Sequence, residues 1–310
     1  MIPKMSKGVA SLEILQTLSD AMTGLADKVA PSVVTVRSGR GFGSGVVWSE
    51  DGYLLTCSQV VGRASAVEVG FGTGQSVGAK VVGHDLYSDL ALLKAEQNGL
   101  KPIELGDSEQ IKVGHLVFAF ANPFGRRPST TSGIITTAKT TLGWGRGVME
   151  NMIITDAPLN PGYSGGPLVD ASGRMIGISV AYVNSRGIAI PISAAKEVVD
   201  SLIHEGRIRR AHLGIISDTI SFSKDIADQA KIEQEEGLMI LEVDPDSPAR
   251  KAGLAIGDIV IRFNKTPITG HHDLYRLLTK DVIGKQVEIE ILRAEKLVRL
   301  TISPTEDEPA

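Results

Sequence analysis

Short apolar runs separated by turn residues dominate the first two thirds of this chain of 310 residues. The runs are rich in valine and isoleucine, and glycine, proline, asparagine or aspartate recurs between them at intervals of roughly 8–15 residues. Many short strands joined by turns, without intervening helices, are typical of an antiparallel barrel or sandwich. The runs are VVTVR (33–37), GVVW (45–48), AVEVGF (66–71), HLVFAF (115–120), SGIITTA (132–138), NMIIT (151–155), MIGISVAYV (175–183) and GIAIPI (187–192).

Residues 11–30, ahead of these strands, have the spacing of a helix. Ser11 is a candidate N-cap, and one apolar stripe recurs at alternating intervals of three and four residues: Leu15, Leu18, Met22, Leu25 and Val29. Such a helix either packs on its own domain or forms a subunit contact, because a narrow apolar seam suits a second helix. A further helix is predicted after Pro191, capped by Ser193 and ended by Gly206.

A short charged joint, residues 207–210, precedes a second unit with a different plan. Its segments are HLGI (212–215), a helix-like stretch at 223–231, GLMILEV (237–243), DPDSPARKAGL (244–254), GDIVIRFN (257–264), a helix around 271–279 and strands at 286–292 and 297–302. The predicted organisation is an N-terminal helical segment (1–30), a β-rich domain (31–206), a second domain (207–303) and a solvated tail (304–310).

Charge and composition exclude several classes of function. The net charge of −4 shows no basic excess, so nucleic acid is not an expected partner. The single cysteine excludes an internal disulfide framework and fits a reducing compartment. No secretory signal and no run of about 20 apolar residues is present, so we expect a cytoplasmic protein without a membrane span.

No cofactor or metal is expected, because the sequence has no metal-ligand cluster or cofactor fingerprint. The glycine-rich run GRGFGSG (39–45) has glycine at every second position, and a strand follows it where a phosphate-binding helix would begin. This run is therefore interpreted as a turn between strands.

The strongest local signal for chemistry is the run GYSGGPL, residues 162–168. A serine between small residues, on a turn that enters a strand, keeps its hydroxyl exposed, and backbone N–H groups can converge there on a developing oxyanion. A glycine-rich hairpin would explain the S-G-G triplet alone, so the rest of the chain decides between the two interpretations.

The ordered set of motifs resembles the HtrA (Deg) family of trypsin-like serine proteases, which carry a C-terminal PDZ domain. The motifs are GSGVVW, the turn before GYLLT, SDLALLK (88–94), ANPFG (121–125), TSGIITTA, TDAPLNPGYSGGPLVD (155–170) and GIAIPIS (187–193), while DPDSPARKAGL and GDIVIRFN resemble a PDZ core. The resemblance runs from about residue 27 to 303. It implies a mainly β fold, with a chymotrypsin/trypsin-like double β-barrel followed by an α+β PDZ domain.

The resemblance also implies roles for individual residues. Ser164 is expected to be the nucleophile, the N–H groups of Gly162 and Ser164 the oxyanion hole, and Asp89 the carboxylate that orients the base. Ile188, Ala189 and Ile190 would wall an apolar specificity pocket for a small or aliphatic side chain. In the PDZ domain, His212, Leu213, Gly214 and Ile215 fall where a C-terminal carboxylate is bound while a peptide adds to a sheet edge.

The general base is where the chain departs from the family. The family pattern T-x-x-H-V-V reads Thr56-Cys57-Ser58-Gln59-Val60-Val61 here, so Gln59 occupies the histidine position. An amide can donate to Asp89 and accept from Ser164, yet it is not a usable base near neutral pH. His84 is close in sequence but is not expected to reach the site. Tyr163 replaces the usual Asn before the serine, and it either alters the oxyanion loop or crowds the cleft, or it is a harmless surface aromatic.

Two hypotheses remain open for the function. One is an HtrA-type endopeptidase of protein quality control whose base has been replaced, leaving it inactive or severely impaired. The other is a natural pseudoprotease that acts as a chaperone or peptide-binding module. Both imply unfolded or peptide substrates and protein C-termini as partners, and the resemblance implies a homotrimer or higher oligomer.

Overall fold

A computed structural model describes residues 7–39, 41–72, 74–144, 147–183 and 185–306, and it forms two compact units that divide between Ile208 and Arg209. The first unit opens with helix α1 (Lys7–Val29). This helix begins four residues before Ser11, so the prediction of Ser11 as its N-cap is wrong. Gly8, Val9 and Ala10 are helical as well, so Ser11 lies inside the helix and not at its boundary.

The apolar stripe of α1 has two different environments. Val29 is buried, and Met22 and Leu25 pack against the core of the first unit. Leu15 and Leu18, earlier in the same stripe, are 62% and 48% exposed. The C-terminal part of the helix thus packs on its own domain, while the N-terminal part leaves its apolar side chains in solvent.

Two closed antiparallel barrels follow α1 within the first unit. The first barrel has the strand order β1-β2-β3-β6-β5-β4. Its strands are β1 (Val33–Ser38), β2 (Gly41–Val47), β3 (Tyr53–Cys57), β4 (Ala66–Gly70), β5 (Ser76–Asp85) and β6 (Leu90–Ala95), and a one-turn helix α2 (Ser58–Val61) follows β3. Val34, Val36 and Leu92 are fully buried in its interior. Closure leaves no unpaired edge, and the interior is filled by aliphatic side chains.

The second barrel has the strand order β10-β11-β12-β9-β8-β7. Its strands are β7 (Leu116–Ala121), β8 (Ser129–Trp144), β9 (Gly147–Thr155), β10 (Pro167–Asp170), β11 (Met175–Val183) and β12 (Arg186–Pro191). Helix α3 (Ile192–Glu205) follows, with Pro191 and not Ser193 at its N-cap, and Gly206 ends it in the left-handed region at φ +69°. The predicted double barrel is confirmed.

The second unit is built on a sheet with the order β14-β15-β16-β18-β19, and β17 pairs with β16. Its elements are β13 (Ala211–His212), β14 (Ile215–Ser221), α4 (Lys224–Ala230), β15 (Glu236–Val243), α5 (Pro248–Ala252), β16 (Ile259–Phe263), β17 (Thr266–Pro267), α6 (His271–Leu277), β18 (Val287–Arg293), β19 (Lys296–Ile302) and β20 (Thr305–Glu306). The mixture of strands and short helices confirms the predicted α+β class.

The start of the predicted solvated tail is ordered. β20 pairs antiparallel with β13, and the Arg209 guanidinium forms an ion pair of 2.8 Å with Glu306. The prediction of a solvated segment from residue 304 was therefore wrong for Thr305 and Glu306. Their strand partners lie at the other end of the unit in sequence, which no local pattern reveals. Residues 307–310 lie outside the described part of the chain.

Candidate active site

The first barrel contributes Gln59 and Asp89 to the cleft. Gln59 lies on the single turn of α2, where its backbone N–H donates to Asp89 Oδ1 at 2.8 Å. Its side-chain Nε2 donates to Asp89 Oδ2 at 2.7 Å. The predicted contact between the amide and the carboxylate is present, with one donor from Gln59 on each oxygen.

Asp89 is held by the backbone around it. It lies in the turn between β5 and β6 with φ +53°, an unusual conformation for a residue that is not glycine. Its own carbonyl accepts from the Ser58 N–H at 2.8 Å, and the residue is only 8% exposed. A buried carboxylate without partners would be strongly destabilising, so the two donors from Gln59 maintain this part of the fold.

The second barrel contributes Ser164, on the loop between β9 and β10. Ser164 Oγ donates to the carbonyl of Val180, on β11, at 2.9 Å. Gln59 Nε2 donates to the same carbonyl at 3.2 Å. The predicted hydrogen bond from Ser164 to the Gln59 carbonyl is therefore replaced by two donors that share one acceptor. A carbonyl oxygen has two lone pairs and accommodates both, so the serine proton is directed at a backbone group that cannot remove it.

The loop around Ser164 has a defined backbone course. Gly162 and Gly165 have φ +89° and +86°, in the region that favours glycine. The Tyr163 carbonyl accepts from Gly166 N–H at 2.9 Å, and Gly165 N–H donates to the Ser179 carbonyl at 2.8 Å. Within the described residues, the N–H groups of Gly162 and Ser164 donate to no acceptor. These are the two groups expected to form the oxyanion hole.

Tyr163 is neither a surface aromatic nor a side chain that crowds the cleft. The side chain is only 3% exposed and belongs to the core of the second barrel. Burial raises the pKa of its phenol, while hydrogen bonds with Thr131 and Asn160 act in the opposite direction. Because the ring packs in that core, it neither crowds the site nor lies on the surface.

The remaining titratable groups near Gln59 make other contacts. His84, on β5, places Nδ1 3.3 Å from Ser58 Oγ and has no described contact with Ser164. Cys57 is fully buried with Sγ 3.5 Å from the Ser179 carbonyl. Burial, and then the nearby Asp89 charge, raise the pKa of its thiol well above the ordinary value. Neither group supplies a base to Ser164.

Ile188, Ala189 and Ile190 lie on β12 beside β11, the strand that carries Val180. All three are buried, and Ile188 is the most exposed of them at 8%. The apolar strand predicted as a pocket wall is therefore packed into the barrel next to the Ser164 acceptor.

In the second unit, residues 212–215 form the tight connection from β13 to β14. Gly214 has φ +75°, and a Cβ there would collide with the side chain of Ser247. The Leu213 and Gly214 carbonyls accept from Ala249 and Asp244 at 2.9 and 3.0 Å. Because one carbonyl is bonded to Ala249 in α5 and the other to Asp244 before that helix, the peptide groups between them are fixed in orientation, as a carboxylate-binding loop requires.

β14, the strand after this loop, is the first strand in the order of its sheet. On its outer side lies α6, and His271 Nε2 is 2.9 Å from the Ser217 carbonyl of β14. An edge strand beside a helix is the geometry in which a peptide adds as a further strand.

Sequence reasoning missed Val180, Ser217 and Ser44, whose hydroxyl donates to the Gly162 carbonyl at 2.7 Å. The contacts of Val180 and Ser217 are made by their backbone carbonyls, and such contacts cannot be inferred from the residue type. Ser44 lies inside the quoted GSGVVW motif, where a serine between two glycines was the available signal.

Comparisons with known proteins agree with this geometry. Residues 43–178 match the family described as trypsin-like peptidase domain, and residues 220–303 match the PDZ domain family. The solved structure of the HtrA-type protease AlgW with tripeptide is 32% identical, with a TM-score of 0.77, over 93% of this chain and 98% of that one. This chain belongs to the HtrA family. The serine endoprotease from Yersinia pestis, 30% identical, gives a TM-score of 0.73 over 92% of this chain and 97% of that one.

Curated relatives of this HtrA-family chain are considerably longer than it. The probable periplasmic serine endoprotease DegP-like of Halomonas elongata is 37% identical over 85% of this chain and 56% of the relative. Protease Do-like 1, chloroplastic, of Arabidopsis thaliana is 36% identical over 87% and 65%. The chain thus spans between about half and two thirds of these relatives.

The names of these HtrA relatives contradict the predicted cytoplasmic location. They place the relatives in the periplasm or the chloroplast. The prediction relied on the missing secretory signal and membrane span, with the single cysteine as a sign of a reducing compartment, but one fully buried thiol is compatible with either redox environment. Among the described residues, no helix is long and apolar enough to cross a membrane.

Proposed function

We propose that this HtrA-family chain binds peptide segments in a protease-shaped cleft and in its PDZ groove without hydrolysing them efficiently. The observation that carries the proposal is the hydrogen bonding of Gln59. Its amide N–H groups donate to Asp89 and to Val180, and Ser164 donates to Val180 as well. The position that we assign to the general base holds a group that does not titrate near neutral pH.

The chemistry that Ser164 needs is the removal of its hydroxyl proton as it attacks a carbonyl. Histidine does this because its pKa lies near neutrality, whereas an amide does not accept a proton there. Loss of the base from a comparable triad lowers turnover by on the order of 10⁶, and binding and the oxyanion hole retain roughly 10³–10⁴ over water. We therefore expect turnover too low for most assays.

The binding surfaces are retained in this proposal. The free N–H groups of Gly162 and Ser164 would hold a carbonyl oxygen of the bound peptide, and Ile188, Ala189 and Ile190 would favour a small or aliphatic side chain. In the PDZ domain, residues 212–215 would receive a C-terminal carboxylate while the peptide pairs with β14. The solved structures of the HtrA-type protease AlgW are of that protein with a tripeptide and with a decapeptide, which supports this assignment.

Of the two hypotheses, the packing of Tyr163 favours the natural pseudoprotease. The accommodation of Tyr163 in the core, with partners for its hydroxyl, indicates that the loop has adapted around the change. We further propose a role in protein quality control and assembly as a homotrimer or higher oligomer, in which the exposed apolar residues of α1 are available for contact between copies.

The test of this proposal is Gln59→His, assayed on casein as an unfolded substrate. We expect cleavage to rise by on the order of 10⁴-fold or more, with a rate that increases as pH rises through about 6.5–7 and the new imidazole loses its proton. Gln59→His combined with Ser164→Ala is the matched control and should stay silent. A folded Gln59→His variant that cleaves nothing would contradict the assignment of this position.

A binding role has its own test in the unmodified chain. Substoichiometric suppression of the aggregation of an unfolded client, and binding of free C-terminal peptides at micromolar concentrations, are the expected results. A peptide of the same sequence with an amidated C-terminus is the control for the PDZ groove. Absence of both activities would leave the binding role without support.

A further inference from the structure

Ser44 is a fully buried polar residue in β2 whose hydroxyl lies between two loops of the second barrel. The hydroxyl donates to the Gly162 carbonyl at 2.7 Å and accepts from the Asn122 N–H at 2.8 Å. The backbone N–H of Ser44 donates to the Ser164 carbonyl at 2.9 Å. One residue of the first barrel therefore contacts the backbone on both sides of Tyr163.

These contacts determine how the peptide groups of residues 162–165 are oriented. Ser44 Oγ holds the Gly162 carbonyl, Gly166 N–H holds the Tyr163 carbonyl at 2.9 Å, and Ser44 N–H holds the Ser164 carbonyl. In a planar trans peptide the N–H points opposite to the carbonyl. With the Tyr163 carbonyl turned inward, the Ser164 N–H must face the other way, toward the cleft.

The two contacts from Ser44 differ in what they require. Any residue other than proline at position 44 would supply the backbone N–H that holds Ser164, but only a hydroxyl reaches the Gly162 carbonyl. Without it, that carbonyl and the Asn122 N–H would lose their partner in a site that excludes water. The peptide between Gly162 and Tyr163 would then be held from one side only, by the donation of the Tyr163 N–H to the Asn160 carbonyl at 3.0 Å.

We propose that Ser44 is a positioning residue that fixes the oxyanion loop, residues 162–165, so that the Gly162 and Ser164 N–H groups face the bound carbonyl. The bound group is a peptide carbonyl that becomes a tetrahedral adduct, in which negative charge develops on the oxygen. Preorganised donors are effective because they need no reorientation as that charge appears. The inference rests on the proposed function, since it concerns the same cleft.

The kinetic test compares Gln59→His with the same chain carrying Ser44→Ala as well. Loss of a whole oxyanion donor lowers kcat by about 10²–10³, and loss of alignment with both donors still present should lower it by about 10-fold or more. KM should change by less than about twofold, because the loop acts on the transition state. A peptide aldehyde, whose carbonyl carbon bonds to Ser164 Oγ as the serine proton passes to the imidazole introduced by Gln59→His, should lose affinity to a similar degree.

Two matched controls separate positioning from general packing. Thr35→Val removes another buried hydroxyl that bonds the Asn122 carbonyl without touching residues 162–165, and it should leave kcat within about twofold. The peptide alcohol that corresponds to the aldehyde has no oxyanion, so Ser44→Ala should not change its affinity. Equal effects of Ser44→Ala and Thr35→Val, or a fall in alcohol affinity that matches the aldehyde, would overturn the proposal.

A second measurement does not depend on turnover. In the unmodified chain, Ser44→Ala should accelerate hydrogen–deuterium exchange in the segment 160–166, whereas Thr35→Val should not. Unchanged exchange there would overturn the role of Ser44 even if Gln59→His restores cleavage. If Gln59→His stays silent while exchange rises as expected, the proposed function falls and the role of Ser44 stands. Should Ser44→Ala fail to fold, Ser44→Cys, which keeps only a weak donor, takes its place in both measurements. It should lower kcat and accelerate exchange in the segment 160–166, in the same directions as Ser44→Ala.

Discussion

The two barrels contribute unequally to the cleft. From the second barrel come Ser164 and, within the described residues, two N–H groups without acceptors, on a loop whose carbonyls are bonded at successive residues. From the first barrel come Asp89 and Gln59, whose amide keeps a donor on the carboxylate but accepts no hydrogen bond from Ser164, which donates to Val180. The second barrel carries the groups proposed to bind a carbonyl, whereas the first keeps the contact with Asp89 and, on our proposal, lacks the proton acceptor.

Under the proposed function, this difference describes how a catalytic site would lose its chemistry with little effect on the fold. Replacing the histidine of the family by a side chain without a donor would leave Asp89 with fewer donors in a buried site, which is destabilising. Glutamine separates the two functions, because it keeps the donor and loses the titration. The structural role of the position is preserved even though its chemical role is absent.

The largest expected effect on stability is at Gly165, where the halves meet. A Cβ there would collide with the Ser44 carbonyl and the Thr56 hydroxyl, and φ is +86°. Gly165→Ala should therefore lower the free energy of unfolding by about 3 kcal/mol or more in urea titrations. Gly99→Ala, with φ +71° and open space around the new methyl group, should lose only about 1 kcal/mol. Equal losses of the free energy of unfolding in the two variants would mean that the two barrels do not pack as described.

A smaller effect is expected when Tyr163 is changed. Tyr163→Asn should reduce the free energy of unfolding by about 2–4 kcal/mol, since it empties a site in the core of the second barrel. It should not raise kcat/KM in the Gln59→His background, because the ring does not reach the cleft. Tyr163→Phe, which removes only the hydroxyl, should lose about 1 kcal/mol. A gain in cleavage without a loss of stability would place the ring in the cleft after all.

Gln59→Glu tests the contact between residue 59 and Asp89, because the side chain of glutamate has nearly the same shape as that of glutamine. It removes the donor to Asp89 and puts a second carboxylate opposite it, so we expect a loss of roughly 1–2 kcal/mol at neutral pH, limited by the exposure of residue 59. Repulsion raises the pKa of the introduced carboxyl in the folded state, which then binds an extra proton. The loss of the free energy of unfolding should therefore become smaller as pH falls below about 5. Gln59→Met lacks the charge, and its loss should not depend on pH in this way.

The smallest expected effect is at Cys57. Because burial raises the pKa of its thiol, native protein should resist iodoacetamide at about pH 8, and labelling should appear only with unfolding in urea. Labelling of the folded chain at the rate of a free thiol, followed by mass spectrometry, would show that the first-barrel half opens to solvent.

The parts of this molecule that were predictable from sequence are those with local signals. Short apolar runs and turns predicted an antiparallel barrel or sandwich, the family resemblance implied two barrels, and the ordered motifs brought Gln59, Asp89 and Ser164 to one cleft. The acceptor of the Ser164 proton was not predictable, because a backbone carbonyl such as that of Val180 has no side-chain signature. The burial of Tyr163 depends on the core of the second barrel, and the pairing of β20 depends on a strand far away in the chain.

The most direct test follows binding and cleavage of fluorescein-labelled casein by the unmodified chain in one experiment. Anisotropy reports the bound substrate, and acid-soluble fluorescence reports the released peptides. The account predicts saturable binding with release no faster than that of Ser164→Ala, the matched control. Release that exceeds the control and disappears with Ser164→Ala would show that the site finds a base without histidine at position 59, and it would contradict the central claim.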